Sequence, residues 1–92
     1  MTTYIYSKWK NNPIEMPVEF YSELDMSRYE VRKVEIFKNG KLTYASKTKS
    51  TGETRLGITP VPSIAEIKTQ AEFEIKEISK QDFENIWQKA TS

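Results

Sequence analysis

The chain predicts an α+β domain, a single antiparallel twisted β-sheet of roughly four to six strands with two short helices packed on one face. Three observations lead there. Val18–Asp25 alternates apolar and polar residues, Asn39-Gly40 separates two β-favouring runs, and Phe83, Ile86, Trp87 and Ala90 recur at helical spacing.

Taken in order, Thr3–Lys10 puts Tyr4, Tyr6 and Lys8 on one side and Ile5, Ser7 and Trp9 on the other, a strand rich in β-favouring residues. Asn11-Asn12-Pro13 is turn chemistry. From Val18 the period of two is clean. Val18, Phe20, Ser22 and Leu24 share a side, and Glu19, Tyr21, Glu23 and Asp25 share the other, which predicts a half-buried antiparallel strand. Arg28–Lys38 is the next strand, but Tyr29 and Val31 are out of phase with Val34 and Ile36. One extra residue near Arg32-Lys33, a β-bulge, reconciles them. Asn39-Gly40 suits a two-residue type I′ turn, which sets Lys38 opposite Lys41, Phe37 opposite Leu42 and Ile36 opposite Thr43.

Thr48–Gly52 is a polar loop, and Thr54-Arg55-Leu56 has the makings of a short further strand. Pro60 and Pro62 cannot continue a ladder because they lack an N–H. Ser63 with Glu66 three residues on is a capping arrangement for a short helix from Ile64 to about Gln70, with Ile64 and Ile67 as its apolar edge. Glu72–Ile78 alternates again and gives a last strand. Ser79 and Asp82 then open an amphipathic helix that docks through Phe83 and Trp87.

The 92 residues make one domain, 1–92, with 37% hydrophobic and 29% charged residues, a folded composition. Cysteine is absent, which excludes a disulfide framework and thiolate metal sites. Histidine is absent too, which removes the usual general base near neutral pH. A non-enzymatic protein is therefore expected, with no catalytic residue, no metal and no cofactor. No run reaches the roughly 20 apolar residues of a membrane span, and Met1-Thr2-Thr3-Tyr4 does not begin a secretory signal. A cytoplasmic protein without a membrane partner, a monomer or weak dimer, is the expectation.

The net charge of +1 conceals segregation. Residues 11–30 hold five acids against Arg28, and residues 31–55 hold seven bases against Glu35 and Glu53. Glu19, Tyr21, Glu23 and Asp25, with Arg28 and Tyr29 beside them, are the candidate partner-binding residues on the exposed side of the second strand. The plainer reading of the same segregation is ion pairing between neighbouring strands. A metal reading of the three carboxylates needs oxygen ligands from other elements, and no calcium-loop pattern accompanies them. The basic hairpin (Arg32, Lys33, Lys38, Lys41, Lys47, Lys49, Arg55), with Tyr29, Phe37 and Tyr44 interleaved, offers an alternative, a small nucleic-acid-binding module. Thr51–Gly57 lacks the Gly-Lys-Ser/Thr ending of a phosphate-binding loop and reads as a turn.

Tyr21-Ser22-Glu23-Leu24-Asp25, followed by Arg28 to Phe37, the Asn39-Gly40 turn, Tyr44-Ala45, Thr54-Arg55-Leu56-Gly57 before Pro60, and Ile78-Ser79 with Phe83 and Trp87, resembles a small bacterial domain family without assigned activity. Many such single-domain bacterial proteins resemble immunity proteins of polymorphic and contact-dependent toxin systems. That resemblance implies a protein that binds and neutralises a cognate toxin. If the toxin is a nuclease, its cationic active site is matched by the acidic strand face, which would occlude it.

Overall fold

Strand β1 (Thr3–Trp9) alternates tyrosines with aliphatic and small residues, and this two-sided character places it inside a sheet. It pairs antiparallel with β2 (Glu19–Leu24) on one side and with β5 (Phe73–Ile78) on the other. Strand β3 (Glu30–Ile36) follows β2, and β4 (Leu42–Ser46) closes the order β4-β3-β2-β1-β5. Helix α1 (Ile64–Lys68) precedes β5, and α2 (Lys80–Thr91) follows it. The computed structural model describes residues 2–10, 16–52 and 54–92, so the Asn11-Asn12-Pro13 turn lies outside the described residues. The α+β class and the single antiparallel sheet, of five strands, are as the sequence predicts.

The helices do not share a face. Ile64 and Ile67 of α1, with Val61, pack on the buried cluster Ile5, Leu24 and Ile75. Phe83 of α2 meets Tyr4, and Trp87 meets Tyr44, from the opposite side. The reason lies in the strands. Both sides of β1 carry large side chains, and each helix has one narrow apolar edge, so burying both sides of the sheet takes one helix per side. Serine caps begin both helices, Ser63 Oγ accepting from the Glu66 N–H (3.3 Å) and Ser79 Oγ from the Asp82 N–H (3.1 Å).

The β-bulge is present one residue from its predicted place. Glu23 pairs with Arg32 and Leu24 with Glu30, so Val31 is the additional residue. The shift brings Glu30 and Lys33 to one side, where they form an ion pair at 3.0 Å.

The β3–β4 hairpin differs from the predicted register by one residue. Ile36 faces Leu42, leaving a three-residue loop of Lys38, Asn39 and Gly40. Gly40 donates to the Phe37 carbonyl (2.9 Å), Phe37 donates to the Lys41 carbonyl (2.9 Å), and Gly40 alone in the loop takes positive φ, +88°. A type I′ turn would need positive φ at Asn39 as well; here the Asn39 side chain instead accepts from the Lys41 N–H at 3.0 Å. The slip turns Tyr44 to the α2 side, where Trp87 meets its ring edge-on at 5.3 Å. Space around Gly40 is open, so Gly40→Ala incurs backbone strain alone, about 1 kcal/mol. Urea unfolding should show that loss without a change of slope.

Thr54-Arg55-Leu56 forms no strand. Instead Thr54 is buried across the α1 side of β3 and β4, its hydroxyl bonding Thr43 and donating to Glu35 Oε1 at 2.8 Å. Glu30 Oε1 likewise accepts from the Gly57 N–H at 2.6 Å. Thus one half of that face is aliphatic under α1 and the other is polar under this segment.

Candidate partner-binding face

On the α2 side, cross-strand pairing brings together Tyr4 with Glu23, Tyr6 with Tyr21, Glu23 with Arg32, and Tyr6 with Lys76. Helix α2 crosses β4, β3 and β2 and divides this face into a covered and an open half.

The covered half is a closed network. Arg32 lies between rings, its guanidinium carbon 4.9 Å from the Phe83 centroid and 5.0 Å from that of Trp87. Its Nε donates to Glu23, while Nη1 and Nη2 donate to the two oxygens of Glu84 at 3.2 and 2.7 Å. The forked bond to Glu84 outweighs burial and, with the bond to Glu23 and that carboxylate's charge, holds Arg32 charged above its ordinary range. The same bond from Arg32 lowers the Glu84 carboxyl below the usual carboxylate value, against the opposing effect of desolvation. The Tyr4 hydroxyl donates to Glu23 at 3.2 Å, and burial first, then the charge of Glu23, pushes its phenol up.

This network decides the fate of the predicted contact residues. Glu23 is neutralised by Arg32 under the helix, as the cross-strand reading expects. Glu19 accepts from the Tyr6 hydroxyl at 2.6 Å. Asp25 lies beyond the end of β2 and builds a turn, its carboxylate accepting from the N–H groups of Ser27 (2.9 Å) and Tyr29 (3.0 Å). Arg28 takes left-handed backbone at φ 66°, and its side chain donates to the Val61 and Pro62 carbonyls at 2.8 and 2.9 Å, tying the turn to the segment before α1. Tyr29 is exposed at that turn. The uncovered row of three carboxylates is therefore not formed. Glu19 and Tyr21 stay together, while Asp25, Arg28 and Tyr29 belong to a separate turn.

What the open half presents is different. A cleft of about 460 Å³ lies beside α2, with Tyr6, Tyr21 and Lys76 on the sheet side and Asp82, Asn85 and Lys89 along the helix. The two phenols meet edge-on at 4.9 Å, and the Lys76 ammonium sits 5.6 Å from the Tyr6 centroid. Desolvation, and then the bond to Glu19, pushes the Tyr6 phenol well up, so it stays protonated through the physiological range. Desolvation also raises Tyr21, with the charges of Glu19 and Asp82 adding to it. Apart from Tyr21, sequence reading missed this set. Its signals were present: Tyr6 and Lys76 alternate on their strands, and Asp82, Asn85 and Lys89 follow helical spacing. What was missing was the order β2-β1-β5, which brings residues 6, 21 and 76 side by side.

A cleft with an aromatic floor and charged rims suits a protein surface, since tyrosine contributes large contact area at small entropic cost. Among the described residues no three acidic, histidine or cysteine side chains converge to hold a metal ion, and no helix is long and apolar enough to cross a membrane. No curated protein and no solved structure matches the chain. The chain belongs to the family described as Domain of unknown function (DUF6881), whose signature matches residues 3–92.

Proposed function

We propose that this chain is a non-enzymatic binding protein that acts in the cytoplasm by neutralising a cognate bacterial toxin. The observation that supports a binding role is the open half of the α2 face, where Tyr6 and Tyr21 line a charged-rimmed cleft beside the helix. Many single-domain bacterial proteins of this kind resemble immunity proteins, which suggests the toxin as partner, and the absence of His and Cys favours binding over catalysis.

The contact moves, relative to the sequence expectation, from the acidic row to Tyr6, Tyr21, Lys76 and Lys89. A nuclease in particular would call for free carboxylates, whereas Glu19 and Glu23 are engaged inside the chain. The nucleic-acid alternative loses ground for a similar reason. Tyr44 is buried against Trp87, Arg32 is enclosed and Lys33 is paired with Glu30, so the bases that stay exposed, Lys41, Lys47 and Lys49 among them, lack the ring of Tyr44 as a stacking partner.

Co-expression with the products of neighbouring reading frames tests the proposal. Recovery of one of them with this chain, together with protection of growth, is expected. Tyr21→Ala should weaken that complex about tenfold or more, in keeping with a central aromatic anchor, while Lys89→Glu should mainly slow association. Failure to recover any such protein, with no growth protection, overturns it.

A further inference from the structure

The two edges of the sheet end differently. Residues 46–51 fold back along β4, with Tyr44 N–H donating to Thr51 Oγ1 (3.0 Å), Thr51 N–H to the Tyr44 carbonyl (2.9 Å) and Ser46 N–H to the Lys49 carbonyl (2.7 Å). That edge is closed by its own chain. Strand β5 has no such cover among the described residues.

Backbone parity shows which β5 groups remain. The Lys10 N–H donates to the Glu72 carbonyl at 2.7 Å, in register with Tyr4 opposite Ile78. Residues 72, 74, 76 and 78 therefore direct their backbone groups inward to β1, and residues 73, 75 and 77 direct theirs outward. Phe73 N–H is taken by the Gln70 carbonyl (3.1 Å). The outward N–H and C=O of Ile75 and Glu77, and the C=O of Phe73, have no partner among the described residues.

About Ile75 the charges along this edge are complementary to their own reverse. Two copies laid antiparallel about Ile75 place Glu74 of each opposite Lys76 of the other, twice over. In that register the facing outward residues are Ile75 with Ile75, which can exchange both bonds, and Phe73 with Glu77, where the Phe73 carbonyl can accept from the Glu77 N–H, so the parity is also satisfied. Centring the pair on Lys76 sets the two lysines opposite each other. Centring it on Glu74 sets two glutamates opposite each other at the axis although it pairs Lys76 with Glu72, so only the Ile75 register has opposite charges and no like pair on this side. Centring it on Phe73 opposes Glu72 and Glu74, and centring it on Glu77 pairs Lys76 with Ile78.

We infer that this chain self-associates through its β5 edges, as a two-fold antiparallel pair centred on Ile75 that joins two sheets into one. Glu74 and Lys76 lie on the α2 side, so the pairing sets two clefts next to one another across the two-fold axis. A short edge buries less than a standard interface, and the dimer is of the weak, concentration-dependent kind.

Sedimentation equilibrium over a concentration series tests this. The wild-type chain is expected to show a reversible monomer–dimer equilibrium. Glu74→Lys alone and Lys76→Glu alone each oppose like charges and should weaken self-association about tenfold or more. Both residues are exposed, and circular dichroism should report unchanged folds. An equimolar mixture of the two variants restores opposite charges at every pair and should recover dimer. A wild-type chain that stays monomeric throughout, single variants that dimerise as the wild type does, or a mixture that fails to recover would each overturn the inference.

Discussion

Phe83→Ala is expected to cost about 3–5 kcal/mol and to release helix α2 from the sheet. Phe83 is fully buried, at 0% exposure, although it sits on a surface helix. Its ring lies 5.5 Å from that of Tyr4 and 6.1 Å from that of Trp87, and the Arg32 guanidinium rests against it. Truncation removes the contact area and leaves a cavity under a charged group, which cannot collapse without moving Arg32 away from Glu84. A domain of this size has a total stability of roughly 5–14 kcal/mol, so the variant should be close to unfolding. Urea denaturation followed by tryptophan fluorescence would measure the loss. Phe83→Leu, which keeps most of the volume, should lose less than half as much, and Gln88→Ala on the exposed side should fall within about 0.5 kcal/mol of the wild type. Equal midpoints for Phe83→Ala and the wild type would mean that α2 is not held by this ring.

Arg32→Ala should have the second largest effect, about 2–3 kcal/mol, somewhat less than the roughly 3–5 kcal/mol for breaking a fully buried ion pair because its side chain keeps 21% and that of Glu23 13% exposure. The loss comes from leaving Glu23 with only the Tyr4 hydroxyl beneath α2, and from uncovering Phe83 and Trp87. Arg32→Met combined with Glu23→Gln removes both charges at similar volume and should recover most of the stability, which separates the effect of an orphaned charge from that of lost packing. The same network sets an acid response. Bonding to Arg32 depresses the folded-state pKa of Glu84 below the unfolded value of about 4.5, so its contribution is present above that pH and disappears as pH falls through the folded value. Stability measured from pH 7 down to pH 3 should therefore decline in the acid range, and Glu84→Gln should decline less steeply while starting lower.

Much of the local structure was readable in the residue order because its causes are local. Ser63 and Ser79 cap their helices whatever those helices pack against. The alternation from Glu19 to Leu24 makes a strand in any antiparallel sheet. The out-of-phase halves of β3 require a bulge, and only its exact seat, Val31, depends on how β2 pairs with it. The hairpin shows where local reasoning ends. Asn39-Gly40 fits loops of two and of three residues, and a register that turns Tyr44 toward Trp87 favours the longer one.

The site was less legible for the same reason. Glu19, Glu23 and Asp25 look alike in the alternation pattern, yet one meets Tyr6, one meets Arg32, and one caps a turn. Each fate depends on a residue distant along the chain or on where the strand ends.

By itself, then, the order of residues determined the five strands, both helix starts, the place of the Asn39-Gly40 turn and the α+β class, because period, capping and turn chemistry act within a few residues. Only the tertiary structure decided that the helices take opposite sides, that the carboxylates are spent within the molecule, and that Tyr6, Tyr21 and Lys76 meet beside α2. Those outcomes follow from pairing between distant strands, where a shift of one residue reverses which side a group faces and a neighbouring charge decides whether it remains free.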